Sequence, residues 1–108
     1  TLICNRPDGE QPGQPDHEAM AQAAAAAGMR FVFQPVISGR ITPEQARAFG
    51  DALAQADGPV LAYCRSGTRC ATLWAMSRGA ERPWAEVIET AAAAGFDLRG
   101  LPQPTGRN

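Results

Sequence analysis

The fold of this chain is decided by one stretch, Pro59-Val60-Leu61-Ala62-Tyr63-Cys64-Arg65-Ser66-Gly67-Thr68-Arg69-Cys70-Ala71-Thr72-Leu73-Trp74. Its apolar start, residues 60–63, is short and uninterrupted, which is typical of a parallel strand covered on both faces. A loop that contains glycine follows, and residues 69–78 are predicted to form a helix behind it. The stretch therefore predicts a strand that carries Cys64 into a loop at a helix N-terminus.

Cys64 is a candidate nucleophile because of this position. Free backbone N–H groups and the helix dipole make such a loop an anion site. The same groups lower the pKa of a cysteine and hold it as the reactive thiolate. Arg65 and Arg69 flank the cysteine and favour an anionic substrate, although each is also compatible with a solvated surface charge. The alternative is an inert core cysteine, which would need neither the loop nor the two arginines.

The spacing within the loop bears on the chemistry. Four residues separate Cys64 from Arg69, giving Cys-x4-Arg. Protein tyrosine and dual-specificity phosphatases use Cys-x5-Arg, a loop one residue longer that wraps a phosphate, and Cys70 stands where that arginine would be. The six-residue loop 64–69 resembles instead the active loop of rhodanese sulfurtransferases, whose cysteine carries a sulfane sulfur as a persulfide. The tighter loop suits one terminal sulfur better than a tetrahedral phosphoryl group.

Composition narrows the class of protein. The 108 residues are enough for one domain with a modest core. A net charge of −1 gives no reason to expect nucleic acid or an acidic membrane surface as a partner. No apolar run is long enough to span a bilayer. Three cysteines without a disulfide framework or secretory signal favour a cytoplasmic location. One histidine and no Cys-x-x-Cys pair predict no metal, and no cofactor is expected.

The pattern along the chain predicts an α/β fold. Strands are predicted at 1–4, 30–36 and 60–63, helices at 16–27, 42–56, 69–78 and 83–95, and a short helical turn at 97–101. This order predicts a small, mostly parallel central sheet with helices on both faces. Ligands of such sheets bind at the carboxyl ends of the strands, where Cys64 lies. We expect a domain over residues 1–101 and a Pro/Gly-rich linker or tail over 102–108, as in a domain excised from a longer polypeptide.

Several segments together resemble the bacterial phosphatase-like domain of β-lactamase-hydrolase-like proteins. They are Ile3-Cys4-Asn5-Arg6-Pro7-Asp8-Gly9-Glu10, Pro35-Val36, Thr42-Pro43-Glu44-Gln45 and the run from Pro59 to Arg69. The resemblance extends from Leu2 to about Leu101. It implies the cysteine-phosphatase-like fold of dual-specificity phosphatases with a shorter, rhodanese-like loop. It also implies sulfur transfer, alone or in fusion with a sulfide:quinone oxidoreductase or a metallo-β-lactamase-fold persulfide dioxygenase. Family members commonly have serine where this chain has Cys70.

The chemistry of the leaving group separates two enzymatic readings. A cysteine phosphatase needs a general acid, usually an aspartate on a loop after a neighbouring strand. The loop 34–41 holds no carboxylate, and Asp8 or Glu10 could substitute only if the loop after the first strand folds over Cys64. Sulfur transfer has no such need, because sulfite leaves thiosulfate as an anion. The sequence therefore favours a sulfurtransferase, with a cysteine-dependent phosphatase of phosphate monoesters as the alternative and a non-enzymatic anion-binding module as a third hypothesis.

The favoured mechanism is double displacement through a Cys64 persulfide. The donor is a small anion, thiosulfate or a low-molecular-weight persulfide such as glutathione persulfide, and the acceptor is a thiol or cyanide. Cys64 and Arg69 are the predicted catalytic residues. The predicted substrate-binding residues are Arg65, Ser66, Gly67, Thr68 and Arg6. The hydroxyls of Ser66 and Thr68 either donate to the sulfur or only shape the turn.

The remaining singled-out residues are either assigned structural roles or left with two possible roles. Arg40 follows the second strand and would extend the anion pocket unless it is only a surface charge. Cys70 is either a resolving thiol or a replacement for the family's serine. His17 is interpreted as a surface residue and Cys4 as core. The aromatic and sulfur-containing residues assigned to core packing are Trp74, Met76 and Trp84.

Overall fold

The computed structural model describes residues 1–104, which form three strands and four helices. The strands are β1 (Leu2–Cys4), β2 (Phe31–Phe33) and β3 (Leu61–Tyr63). The helices are α1 (His17–Ala26), α2 (Pro43–Gln55), α3 (Thr68–Gly79) and α4 (Trp84–Ala93). Part of the expected tail, residues 105–108, lies outside the described residues. None of the helices within residues 1–104 combines the length and the apolar character needed to cross a bilayer.

The sheet is parallel throughout, with strand order β2-β1-β3. Its register aligns Ile3 with Val32 on one side and Ala62 on the other. These side chains share one face and pack against Phe49 of α2 and Leu73 of α3. Ile3 and Leu73 are fully buried, so the main core lies between the sheet and this helix pair.

The opposite face of the sheet carries α1. The imidazole ring of His17 stacks on Phe33 with ring centroids 4.1 Å apart and an interplanar angle of 4°. The chain moves outward from β1 to β2 and then back past β1 to β3, and right-handed crossovers in opposite directions place their helices on opposite faces. The predicted α/β fold with a parallel sheet between helices is therefore confirmed. On this same face, Leu61 at the β3 edge stays 61% exposed.

Local signals in the sequence mark the helix starts correctly. Asp16 caps α1, its side chain accepting the N–H of Ala19 at 2.9 Å. Thr42 and Gln45 form a reciprocal capping box at the start of α2, with bonds of 3.1 and 2.9 Å. Pro43 occupies the first turn, where its missing N–H costs no hydrogen bond.

Two predicted elements differ in the structure. The second strand, predicted over 30–36, is regular only over Phe31–Phe33, because β1 ends at Cys4 and offers no longer partner. The N–H groups of Gln34 and Val36 still donate to backbone carbonyls of the β1 end, at 2.9 and 3.0 Å. The helical turn predicted over 97–101 is wrong: this segment is a non-helical turn closed by the Leu101 N–H on the Leu98 carbonyl at 2.9 Å.

A second apolar cluster joins α3 to α4. Ala75, Val87, Ala91 and Leu98 are buried in it, with Trp74 and Trp84 packed around them. Met76 packs on the first cluster together with Trp74. The core roles predicted for Trp74, Met76 and Trp84 are confirmed.

The contact between the end of α3 and α4 leaves no room for a side chain at Gly79. A Cβ there would lie 2.7 Å from Cζ3 of Trp84 and 2.8 Å from Cγ of Pro104. We expect Gly79→Ala to destabilise the domain by about 1–3 kcal/mol through overpacking, which exceeds the gain of about 1 kcal/mol in helix propensity. Urea denaturation measures the change, with Gly58→Ala, which meets no atom within 4 Å, as the control. Equal stability of the two variants would contradict the packing argument.

Candidate active site

Asn5 joins the carboxyl ends of the three strands. It is fully buried directly after β1. Its backbone N–H donates to the Tyr63 carbonyl at 2.9 Å and its carbonyl accepts the N–H of Val36 at 3.0 Å. Its side-chain Nδ2 donates to the Gln34 carbonyl at 2.9 Å. Asn5 was not among the site residues predicted from sequence, although a polar residue directly after an apolar strand was the available signal.

Cys64 follows β3 and lies at the floor of the predicted loop, only 8% exposed. Its Sγ accepts the N–H of Gly67 at 3.2 Å, which brings the sulfur to the N-terminus of α3. Gly67 is the N-cap and has φ +91°, a left-handed conformation that favours glycine. A Cβ at this position would also come within 3.0 Å of Cζ of Phe96. The tight curl of the loop around the sulfur therefore requires glycine.

Two opposing effects set the pKa of Cys64. Burial alone would raise it, because the thiolate loses hydration. Backbone N–H groups that face the sulfur favour the thiolate, and they belong to Cys70, Arg69, Gly67 and Ser66. Together they outweigh burial, so the pKa of Cys64 lies below its ordinary value. The loop thus increases the fraction of Cys64 that is present as the nucleophilic thiolate.

Arg69 is buried, and its guanidinium is engaged by a carboxylate. Nη1 and Nη2 each donate to Glu10 at 2.8 Å, and Nη1 also donates to the Val36 carbonyl at 3.0 Å. The hydrogen bond to Glu10 is the largest cause of a raised pKa for Arg69, and interaction with Cys64 adds to it. Arg69 therefore interacts with both Glu10 and Cys64, and both of its Nη groups are already paired with the carboxylate.

Glu10 bridges two arginines. Besides Arg69 it accepts Nε of Arg6 at 3.1 Å, and Nη2 of Arg6 donates to Gln11 at 2.8 Å. We call Arg6, Glu10 and Arg69 the arginine–glutamate bridge. The loop after β1 does reach the active loop, which was the condition for Glu10 to serve as an acid. However, the hydrogen bond from Arg69, and then that from Arg6, lowers the pKa of Glu10, so its carboxylate is charged at neutral pH.

The Asp8 carboxylate binds the first residue of α1. Its Oδ1 accepts the backbone N–H of His17 at 2.8 Å, and its Oδ2 lies 2.6 Å from Nδ1 of that residue. This hydrogen bond is the main cause that lowers the pKa of Asp8 and raises the pKa of His17. His17, interpreted from sequence as a surface residue, is half-exposed and fastens the loop after β1 to the α1 face.

The remaining predicted residues lie at the rim or in the core. Ser66 and Thr68 are exposed, and their hydroxyls bond to each other at 3.2 Å, which supports the shaping of the turn. Arg65 is exposed beside them. Arg40 is exposed on the loop after β2, and within residues 1–104 no hydrogen bond joins its side chain to the active loop. Cys4 is 3% exposed with its thiol on the Arg6 carbonyl at 3.3 Å, as expected of a core residue.

Within residues 1–104, no three histidine, cysteine, aspartate or glutamate side chains come together in a way that could hold a metal ion. The site instead combines one buried cysteine of lowered pKa, a cradle of N–H groups and a paired arginine. This arrangement can attack an electrophilic atom and stabilise a small anion.

The chain is similar to a known protein family. The family described as "Beta-lactamase hydrolase-like protein, phosphatase-like domain" matches residues 1–82. A beta-lactamase hydrolase-like protein of Agrobacterium fabrum is 40% identical over 100 residues, and one of Xylella fastidiosa is 42% identical over 100 residues. Each alignment covers 91% of this chain but 23% of the relative, so the chain spans about a quarter of the length of these proteins.

Solved structures share the fold. A "putative phosphatase" of Neisseria meningitidis superposes with a TM-score of 0.82 at 44% identity, covering 92% of this chain and 71% of that one. A "putative phosphatase (DUF442)" of Shewanella putrefaciens has a TM-score of 0.64 at 22% identity, covering 82% of this chain and 60% of its own. At that lower identity the second likeness concerns the fold alone.

The two thiols of the loop differ in acidity, which alkylation can measure. Burial, and then the charge of Cys64, raises the pKa of Cys70 to about 12, whereas that of Cys64 lies below 9.0. We expect iodoacetamide near neutral pH to modify Cys64 and leave Cys70 unmodified in the folded protein, because only the thiolate reacts. Peptide mapping gives the sites, and Cys64→Ser is the control. Equal modification of both cysteines would contradict the described cradle.

The arginine–glutamate bridge predicts the effect of removing its negative charge. In Glu10→Gln the guanidinium groups lose their internal counter-charge, so inorganic sulfate should protect Cys64 from iodoacetamide at about tenfold lower concentration, equivalent to ~1.4 kcal/mol. Glu18→Gln makes the same charge change at an exposed position of α1 and should leave protection as in the unmodified protein. Identical protection in the two variants would show that Glu10 does not compete with anions.

Proposed function

The chain belongs to the family of phosphatase-like domains of beta-lactamase hydrolase-like proteins. Within this family we propose, from the geometry of its active loop, that it is a sulfurtransferase. It would move a sulfane sulfur from thiosulfate or a low-molecular-weight persulfide to a thiol or cyanide. The observation that carries the proposal is the short active loop. The N–H groups of Ser66, Gly67, Arg69 and Cys70 act on a single buried sulfur within one tight turn.

The proposed first step forms the persulfide. The Cys64 thiolate attacks the sulfane sulfur of the donor, a new S–S bond forms, and the bond to the sulfonate sulfur breaks with its electron pair, releasing sulfite from thiosulfate. The product is a persulfide anion on Cys64. The loop N–H groups and the α3 dipole stabilise negative charge at this point. No proton has to be supplied to the leaving group.

The proposed second step returns the thiolate. An acceptor thiolate or cyanide attacks the outer sulfur, and the bond to the Cys64 Sγ breaks with its electron pair on the cysteine. The depressed pKa makes Cys64 a good leaving group, since the same N–H groups that favour the resting thiolate favour its return. Arg65, exposed at the rim, is the proposed contact for the anionic end of the donor.

The pairing of Arg69 supports sulfur rather than phosphoryl transfer. A phosphatase needs its arginine fork to hold the phosphoryl oxygens, and here the fork holds Glu10 through two bonds of 2.8 Å. In this proposal Arg69 acts on Cys64 by its charge and holds the loop after β1 in place, and Arg6 acts through Glu10. A terminal sulfur bound by the N–H cradle leaves this bridge intact.

A cysteine-dependent phosphatase is the second candidate, and the names of the relatives favour it over sulfur transfer. The Neisseria meningitidis protein that is 44% identical is called a putative phosphatase. Glu10 also lies near the site, as an acid would. Its pKa is lowered rather than raised, however, so it is a poor proton donor at neutral pH. Asp8, the other nearby carboxylate, is paired with His17.

The greater length of the relatives is relevant to the partners of this chain. Because the chain spans 23% of their length, we propose that residues 1–101 act as the sulfur-transferring unit and that residues 102–108 link it to another domain. A persulfide dioxygenase or a sulfide:quinone oxidoreductase would be a suitable fused or separate partner, because each handles the persulfide that this chemistry makes or consumes.

One pair of assays on one preparation tests the proposal. We expect thiocyanate from thiosulfate and cyanide, and no phosphate from para-nitrophenyl phosphate. Cys64→Ser should lose sulfur transfer by at least about a thousandfold, as expected for removal of a nucleophile. Cys4→Ser removes a core thiol away from the loop N–H groups and should retain transfer. Mass spectrometry of the protein after thiosulfate should show the added mass of one sulfur atom at Cys64.

The outcomes separate the three hypotheses. Phosphate release that depends on Cys64, without thiocyanate, would overturn the sulfurtransferase proposal and make Glu10 the acid to test next. Absence of both activities, with thiosulfate binding retained in Cys64→Ser, would identify a binding module.

A further inference from the structure

The active loop holds a second thiol that the proposed double displacement does not use. Cys70 is the third residue of α3 and, like Cys64, is 8% exposed. The 3.2 Å bond from Gly67 places the Cys64 sulfur at the start of this helix. The backbone N–H of Cys70 is one of the groups that lower the pKa of Cys64, and burial and then the charge of Cys64 raise the pKa of Cys70. The two thiols therefore interact within the first turn of α3. Both thiols are reduced in the structure.

Cys70 also borders a cavity in the protein. Together with Gly67 it lines a cavity of about 260 Å³. The other walls of this cavity are apolar and consist of Phe49, Leu53, Val60, Ala62, Ala71, Trp74 and Phe96. The Cys70 side of the loop is therefore apolar, which disfavours the Cys70 thiolate.

We propose that Cys70 resolves the Cys64 persulfide when no external acceptor takes its sulfur, closing a Cys64–Cys70 disulfide and releasing sulfide. This inference rests on the proposed function, because it begins from the persulfide. It adds a second outcome at the same site: hydrosulfide production instead of transfer to an acceptor.

The step balances without an oxidant. The Cys70 sulfur attacks the inner sulfur of the persulfide, a bond forms between the two cysteine sulfurs, and the inner-to-outer S–S bond breaks with its electron pair on the outer atom. That atom takes the proton of the Cys70 thiol and leaves as hydrosulfide. The two cysteine sulfurs are oxidised and the sulfane sulfur is reduced. A dithiol or two monothiols must then reduce the disulfide to restore the site.

The electrostatics of Cys64 and Cys70 limit disulfide formation to conditions in which no good external acceptor is present. In the resting enzyme, burial and the neighbouring Cys64 thiolate keep Cys70 protonated, with its pKa raised to about 12. Persulfide formation moves the negative charge from Sγ to the outer sulfur. Cys70 then faces a neutral sulfur that can be attacked, but burial still disfavours its thiolate. Resolution is therefore slow and loses to a good external acceptor.

The test follows a loaded sulfur in the absence of acceptor. The unmodified protein, Cys70→Ser, Cys70→Ala and Cys4→Ser are treated with thiosulfate and freed of excess reagent. Hydrosulfide release and intact mass are then followed. We expect the unmodified protein and Cys4→Ser to lose the sulfur as about one hydrosulfide per chain. Their mass should end two hydrogens below the reduced form, with peptide mapping joining Cys64 to Cys70. Both Cys70 variants should hold the persulfide at least about tenfold longer.

Each other result has a distinct meaning. Absence of a sulfur adduct in all four proteins would defeat the proposed function itself. An adduct that decays at the same rate with and without Cys70 would overturn the resolving role and leave sulfur transfer standing. A disulfide that involves Cys4 would also overturn it. The disulfide map of the unmodified protein needs no variant, so the test stands even if a Cys70 variant folds poorly.

Discussion

Backbone N–H groups that converge on the sulfur of Cys64 are the constraint on which the rest of the structure depends. They can face one atom only if β3 ends just before Cys64, the chain curls through Gly67 in a left-handed conformation, and α3 begins at once. Asn5 holds the ends of the three strands at the base of that turn. The balance is electrostatic: burial raises the pKa of the thiol, and oriented dipoles lower it further than burial raises it.

The arginine–glutamate bridge balances the positive charge of the buried Arg69 with the negative charge of Glu10. A guanidinium as buried as that of Arg69 needs a partner, because an unpaired charge in a protein interior is costly. Glu10 provides it from a loop that is far away in sequence, and Arg6 shares the same carboxylate. The bridge fastens that loop beside the thiolate and keeps the carboxylate charged. A group held in this way is suited to positioning and charge balance rather than to proton donation.

The fold of this protein does not by itself determine its reaction. A phosphatase-like fold is shared with solved structures, and a shared fold carries many different reactions. The reaction depends on details of the loop: how many residues close it, what occupies its arginine, and which side chain faces the sulfur. Here the loop is short, the arginine is paired with Glu10, and a second thiol, Cys70, faces Cys64. These details are the grounds for the proposal that sulfur atoms exchange partners at this site.

The sequence by itself determined whatever depends on neighbours along the chain. The caps at Asp16 and Thr42, the apolar strands and the Cys64-to-Gly67 turn are local features, so their positions were predicted with small errors at the strand and helix ends. The helical turn over 97–101 was predicted wrongly: the Arg99 N–H donates to the Asp97 side chain, which competes with a helical bond, and Leu98 is buried against the second cluster. Only the tertiary structure decided the pairing of Glu10 with Arg69, which are 59 residues apart, and the burial of Asn5. Such contacts arise when strand order brings distant loops to one sheet edge, and no local pattern encodes that distance.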